Sequence, residues 1–532
     1  MESCINDISR SVTKSDHEIK VSGSAKYIAD MKFKNCLHAK TLRSLKAKAK
    51  IKKISMPSMK DGYFVIEGKD VPGLNKVKII QNDMPVFADE EVNYIGEPIL
   101  LVAGPDLDEV VRLVNEIKVE YEEEEPVLDL KVSNHIFAEY GYGRGDVNKA
   151  FKEAHVIIEE EFTTGYQEQA YLETQGVIGV YEENKVSIYG TMQCPYYVKN
   201  AVIQALGCKD EEVRIIQTTT GGGFGGKEDY PSIIGSQIAV ACIKTKSPVR
   251  LILNRIEDMS STTKRHPAFL KYKTALDKEN NIIGIDIDII LNGGAYSSLS
   301  SVVLQRSLIC ATGVYNIPNL KVHGKVVKTN TVPNGAFRGF GGPQSIFAIE
   351  THMNHIAKKI KVNPLEFKKK HFVKRGDDTA TGGNFFYDVK LEEMVNKVEN
   401  MCDFSKKYIK NEINNKNNKE IIKKGIGMSI FLHGCGFTGS GERDFIKAVV
   451  KLLKHKDDKV EILVANTDMG QGLQTTLRKI VAQVLGINYD EIIYNNPDTD
   501  RVPDSGPTAA SRSVMVVGKL LERAAKKLKV QW

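Results

Sequence analysis

Positions 218–228, TTTGGGFGGKE, carry the densest chemical signal in the sequence. Five glycines in the six positions 221–226 let a backbone enter left-handed turns and bring its amides close to a ligand. The entropy this costs is more than a purely structural turn usually spends. The β-branched run 213–216 reads as a strand and 232–241 as a helix, so the loop lies where a strand hands amides to a helix N-terminus. Two phosphate motifs match in part. Gly221-x4-Gly226-Lys227 fits the start of a P-loop, but Glu228 stands where a hydroxyl would hold Mg²⁺, and its carboxylate would repel phosphates. Gly221-x-Gly223-x-x-Gly226 fits a dinucleotide fingerprint, yet the next acidic residues, Glu257 and Asp258, arrive about thirty residues on rather than about twenty. A turn without a ligand is hard to reconcile with Phe224 among so many glycines.

The elements that must position this loop belong to a chain of 532 residues with 42% hydrophobic content, enough for about three domains with cores of their own. Lys plus Arg total 74 against 67 acidic residues, and the net +7 is spread out with no basic patch interleaved with aromatics, which disfavours nucleic acid. No run of eighteen apolar residues occurs and the start is polar, so a cytoplasmic protein without membrane contact is expected. The eight cysteines (4, 36, 194, 208, 242, 310, 402, 435) form no CxxC pair and read as reduced thiols rather than cluster or zinc ligands. His352 and His355, beside Glu350, read as one face of a solvated helix, because no further ligand pattern accompanies them.

In order, the pattern predicts a polar tail (1–15), an α/β unit (16–130), a longer mixed unit (131–400), a Lys/Asn-rich linker or solvated helix (401–424) and a further α/β unit (425–532). Strands are expected over 21–27, 62–67, 98–102, 117–121, 154–163, 186–189, 213–217, 249–253, 282–291 and 460–465. Helices are expected over 106–116, 196–206, 344–360 and 473–485. The fold class is α+β, mixed α/β.

Four motifs together carry a resemblance: GGGFGGKE (221–228), GAFRGFGGPQ (335–344), TDMGQG (467–472) and SGPTAAS (505–511). Their order and spacing are similar to those of the molybdenum-binding subunit of the xanthine dehydrogenase and aldehyde oxidase family. Gly23-x-Ala25-x-Tyr27 and Tyr94-Ile95-Gly96-Glu97-Pro98 resemble that family's N-terminal hammerhead domain. The resemblance implies a hammerhead domain followed by molybdopterin-binding domains, covering nearly all the chain from about residue 16.

It also implies a cofactor: molybdopterin with molybdenum, in the cytosine dinucleotide form. Gly223, Phe224, Gly225, Arg338, Gly470, Gln471, Ala510 and Ser511 would surround the pterin and its tail. Gln193, Phe224 and Arg338 would stand behind the metal's own ligands, the metal being held through the cofactor's sulfurs. Glu228 and Arg306 match the carboxylate and guanidinium that grip the two ends of a purine in xanthine-oxidising members and are the implied catalytic pair. Phe340 and Phe437 match the rings that sandwich the substrate. The plainer alternative for Glu228 and Arg306 is a structural ion pair at the pocket rim.

The implied reaction is hydroxylation of a ring carbon beside nitrogen with oxygen from water. Electrons would pass to iron–sulfur ([2Fe–2S]) and FAD subunits on other chains, since this chain has no cysteines spaced for a cluster. The family's general base is a glutamate in a later Gly-x-Gly-Glu turn, which the resemblance places beyond Trp532. Gly439-Ser440-Gly441-Glu442 has those letters but precedes TDMGQG and is not assigned. The missing part is expected either as a separate C-terminal molybdopterin-binding chain or as lost by truncation, and without it the chain would be inactive. A truncated non-catalytic remnant, a hydroxylase of another N-heterocycle such as nicotinate or of an aldehyde, and an unrelated GxGxxG nucleotide binder are the alternatives. The last leaves three motifs unexplained.

Overall fold

A computed structural model describes residues 8–417, 422–436 and 446–531. A seven-stranded sheet runs in the order β11 (Val213–Gln217), β10 (Lys185–Gly190), β9 (Gly176–Glu182), β12 (Val249–Ile252), β1 (Leu37–Arg43), β5 (Pro98–Gly104) and β3 (Phe64–Glu67). Its two halves come from chain segments far apart, joined where β1 pairs in parallel with β12 (Leu37 opposite Val249). β5 is apolar and buried throughout; Leu101 and Ala103 face one core while Ile99, Leu100 and Val102 face the other. The second core includes helix α2 (Leu107–Glu116), capped where Asp106 accepts from the Glu109 amide, and lies beside the sheet of β4 (Glu91–Val92), β2 (Ala49–Ser55) and β6 (Lys118–Glu123).

A five-stranded sheet, β7 (Ile136–Arg144), β15 (Leu320–Lys328), β14 (Ile282–Gly294), β13 (Ala268–Leu276) and β8 (Val156–Thr164), packs against α7 (Ser300–Cys310) and α8 (Gly342–Lys359). β16 (Lys451–Lys454), β17 (Val460–Leu463) and β18 (Ile492–Ile493) form a small sheet whose core is shared with α12 (Leu473–Leu485) and α13 (Gly518–Val530). The mixed α/β class read from the sequence is what the chain adopts.

Two helices matter most for the site. α4 (Pro195–Leu206) starts with proline at its first position and stops at Gly207, whose left-handed φ of 63° ends the helix without strain. α5 (Tyr230–Thr245) buries fourteen of its sixteen residues, which explains why its sequence is apolar on every face. It begins two residues before the expected start, capped by Asp229.

Two expectations are corrected and one open alternative is decided. Residues 21–27 are no strand: α1 (His17–Val21) ends there, with the Ser22 hydroxyl donating back to the Glu18 carbonyl (2.7 Å) and Gly23 turning the chain at φ 71°. The 401–424 stretch holds α11 (Phe404–Asn417), of which only Phe404 is buried, so the solvated-helix alternative describes it. His352 does not face solvent: it is fully buried, its Nδ1 2.7 Å from Glu160 and its Nε2 2.8 Å from the Thr274 hydroxyl, while His355 lies half exposed on the same carboxylate.

Candidate functional site

The glycine-rich loop spans residues 218–229 between β11 and α5, and Gln193, just before α4, is the residue on which the motifs converge. The Gly225 amide donates to Gln193 Oε1 (2.9 Å), and Gln193 Nε2 donates to the Thr508 carbonyl (3.2 Å). Thr467 Oγ1 donates to the Gln193 carbonyl (3.2 Å), and the Thr467 amide to Thr508 Oγ1 (2.8 Å). One residue thus ties the first, third and fourth motifs together. Gly223 is glycine for the same reason, since a Cβ there would lie 2.5 Å from Gln193 Oε1 and 2.8 Å from Met469 Sδ.

The second motif closes from the other side. The Arg338 amide donates to the Phe224 carbonyl (2.9 Å), and a Cβ at Gly225 (φ 101°) would stand 2.7 Å from the Ala336 carbonyl oxygen. Asp229 accepts from the Tyr230 amide and the Thr263 and Ser298 hydroxyls, and packs where a Cβ on Gly335 would collide with it. Phe224 (φ 52°), Phe340 (φ 51°), Ala510 (φ 50°) and Ser511 (φ 55°), all in the motifs, hold left-handed backbone that side chains disfavour by about 1–3 kcal/mol each. Strain gathered in this way marks a backbone shaped for a ligand.

The loop's donors are available. Among the described residues the amides of Gly222, Gly223 and Phe224 make no hydrogen bond within the protein, whereas the Gly470 amide (φ 116°) donates to Asp468 Oδ1 (2.9 Å). Gln471 braces its own turn instead, Nε2 to the Thr467 carbonyl (3.0 Å) and Oε1 from the Met469 amide (2.8 Å). Phe224 is 46% exposed, whereas Phe340 is buried. Phe437 lies outside the described residues, as does the 439–442 turn.

Glu228 and Arg306 are both buried, 2% and 4% exposed, and form no ion pair with each other, so the rim salt bridge is not what the chain builds. Among the described residues Glu228 Oε1 has no hydrogen-bond partner. Burial, and then the neighbouring Asp229, push its carboxyl well above the usual range, which favours the protonated form. Arg306 donates through its two terminal nitrogens to the carbonyls of Gly434 (2.8 Å) and Gly436 (2.5 Å). Among the described residues no carboxylate pairs with it, and burial lowers its pKa. A cavity of about 310 Å³ is bordered by Arg306, Arg338, Pro343, Ile346, Phe431 and Leu432, apolar walls with two guanidinium groups. No three His, Cys, Asp or Glu side chains among the described residues converge to hold a metal. A polar heterocycle with a phosphate tail, whose metal brings its own ligands, fits this donor set of free amides and neutral side chains.

Sequence reading missed several participants. Arg512, directly after SGPTAAS, is buried and donates to the Ser505 (3.1 Å) and Pro507 (3.3 Å) carbonyls, holding the fourth motif in shape. Lys227 and Glu173 brace the first loop from beneath. Lys227 stands inside a motif already singled out; nothing local marks Glu173.

Comparison with known proteins places this architecture in the class of molybdopterin-dependent oxidoreductases. Residues 22–125 match the model of the aldehyde oxidase and xanthine dehydrogenase a/b hammerhead domain, and 129–372 and 397–532 match molybdopterin cofactor-binding domains. A Bacillus subtilis protein described as a probable subunit of xanthine dehydrogenase is 31% identical over 541 aligned positions, covering 98% of this chain and 70% of that protein. Rice xanthine dehydrogenase is 31% identical over 516 positions, covering 94% of this chain but 37% of that protein. The chain therefore spans well under half the length of the rice relative. Among solved structures, aldehyde oxidoreductase from Desulfovibrio gigas superposes with TM-score 0.87 at 24% identity, over 97% of this chain and 59% of that one. Quinoline 2-oxidoreductase from Pseudomonas putida superposes with TM-score 0.85 at 22% identity, over 98% and 70%. At those identities the likeness shows the fold. The chain belongs to the xanthine dehydrogenase family as a molybdopterin-binding subunit.

Proposed function

We propose that this chain is the molybdenum-binding subunit of an enzyme that hydroxylates a purine or related N-heterocycle, and that Glu228 and Arg306 choose the substrate. The observation that carries this reading is Glu228, a buried carboxyl in the glycine-rich loop with one oxygen left unpartnered among the described residues. A polar group is stranded in this way when a ligand completes it, since an unpaired buried acceptor costs about 1–3 kcal/mol. Held neutral, Glu228 offers an O–H donor and a carbonyl acceptor, which match the adjoining N–H and C=O or ring nitrogen of an N-heterocycle better than a simple aldehyde. Arg306, without a carboxylate to neutralise it among the described residues, stabilises negative charge that grows on the ring as the carbon is attacked. The Phe340 ring supports the substrate plane, and Phe437 is proposed to complete the sandwich.

Molybdopterin, when bound, supplies the metal that activates water-derived oxygen and accepts the electrons. The residues proposed to hold it are Gln193, Gly223, Phe224, Gly225, Arg338, Gly470, Gln471, Ala510 and Ser511. Gln193 keeps one amide hydrogen beyond its bond to Thr508 and can donate it to an oxygen near the metal. The free amides of 222–224 orient the pterin, and the buried floor of the loop keeps water out. The cytosine dinucleotide form, the iron–sulfur and FAD partner subunits and a cytoplasmic location belong to the same proposal; no helix among the described residues is long and apolar enough to cross a membrane.

The test is turnover by natively purified, metal-loaded enzyme with xanthine, hypoxanthine, nicotinate and benzaldehyde in H₂¹⁸O. Label entering a hydroxylated N-heterocycle supports the reading. Turnover of benzaldehyde alone contradicts it.

A further inference from the structure

Beneath the glycine-rich loop lies a largely buried ion pair, Lys227 with Glu173, which braces the loop and takes no part in the chemistry above. Lys227 is wholly buried; its Nζ donates to Thr191 Oγ1 (2.9 Å) and to Glu173 Oε2 (3.1 Å), and sits 4.7 Å from the centre of the Tyr171 ring. The same Glu173 oxygen accepts from the Gly221 amide (2.7 Å) and the Thr191 hydroxyl (2.6 Å), while the Glu173 amide donates to the Gly221 carbonyl (3.1 Å). Two residues on, Gln175 Nε2 donates to the Gly226 carbonyl (2.6 Å) and to Tyr171 Oη (3.0 Å). The segment from Tyr171 to Gln175 therefore grips the loop at both ends, and Tyr171 fills the space that side chains at Gly222 and Gly226 would need. Lys227 also fixes the hub, its carbonyl accepting from the Gln193 amide (2.8 Å).

A buried ion pair is weak evidence of stability, because apolar residues of the same volume are often as good or better. What it provides is a fixed distance between two backbones. We propose that Lys227 and Glu173 form a strut that sets the height of the free amides of 222–224 and of Gln193 against the ligand, making Lys227 a positioning residue for the bound pterin. The charged and titratable groups facing Lys227 are Glu173, Asp258, Arg255 and Tyr171. Arg255, the other cation, donates through Nη2 to the Tyr171 (2.6 Å) and Leu172 (2.9 Å) carbonyls and makes no bond to Glu173. The inference rests on the proposed pterin site.

The experiment compares wild type, Lys227→Met, Glu173→Gln and the double variant as natively purified complexes. It measures thermal midpoint, molybdenum and pterin per chain, kcat and KM, and the Mo(V) electron-paramagnetic-resonance signal. Expected for Lys227→Met is a soluble protein with pterin content reduced about fivefold or more and, in the fraction still loaded, an altered Mo(V) signal and a kcat down about tenfold to a hundredfold with KM little changed. Glu173→Gln keeps the glutamate's volume and is read by the same criteria if Lys227→Met does not fold; its expected effects are the same in direction. A fall in thermal midpoint alone, with pterin content, kcat and the Mo(V) signal of wild type, overturns the strut. Wild-type protein without pterin overturns the site reading beneath it.

Discussion

Glu228 and Arg306 could have neutralised one another and instead stand apart, each buried and each with bonding capacity directed elsewhere. The protonated Glu228 proposed above has a sharp consequence, because glutamine reproduces its donor and acceptor while alanine removes both. Glu228→Gln should keep kcat/KM on the N-heterocycle within about tenfold, and Glu228→Ala should lower it about a hundredfold or more. Equal losses in the two variants would show that the ionised form is needed. Glu228→Leu should abolish turnover yet leave the thermal midpoint unchanged or higher, since it removes an unsatisfied polar group from the interior. Arg306→Met should cost about a hundredfold in kcat with molybdenum content retained. The motifs foretold which segments meet: the first, third and fourth join around Gln193, while the roles of the individual candidates toward a ligand stay part of the proposal. The interactions were not legible, because a letter code for Glu228 does not say whether Asp229 and burial leave it neutral. Nor could it say that Arg306 spends two donors on Gly434 and Gly436.

Loops, helices and strands decide whether those side chains meet. Gly225→Ala would force a Cβ to within 2.7 Å of the Ala336 carbonyl at a φ of 101° and should separate the first two motifs. We expect the variant to be folded but to retain less than about a fifth of the wild-type molybdenum, a loss of about 1 kcal/mol in binding. A second test lies where the N-terminal unit meets the rest. Glu97 accepts from the Tyr296 hydroxyl and the Asn93 amide (2.5 Å), and burial first of all raises its pKa to about 7. Between its unfolded value of 4.5 and about 7 the folded protein binds the extra proton, so stability falls as pH rises through that window, by roughly 3 kcal/mol in all. Melting curves from about pH 4.5 to about pH 7.5 should show that decline, and Glu97→Gln should flatten it. Periodicity found α12 residue for residue and α2, α4 and α5 to within a few, because each repeats apolar residues at helical spacing or is capped by a recognisable residue. It failed at 21–27, where Ser22 and Gly23 end a short helix, and at His352, where burial is supplied by β8 and β13 rather than by its own helix.

In the whole molecule, the seven-stranded sheet joins strands some two hundred residues apart, and no local pattern announces that β1 will lie beside β12. Other long-range contacts put Gln193, Gly225, Thr467 and Thr508 within hydrogen-bonding distance, so the site forms only when these distant segments assemble. That the four motifs belong together was legible only through family resemblance; their glycines show that a ligand is held but not which one. The central claim is that this assembly holds molybdopterin. The measurement that tests it most directly is the molybdenum and pterin content per chain of protein purified from its own host, with co-eluting polypeptides identified by mass. The account predicts close to one of each per chain, together with an iron–sulfur and an FAD-containing polypeptide. Folded protein purified with neither metal nor pterin, from cells whose other molybdopterin enzymes are loaded, would contradict it.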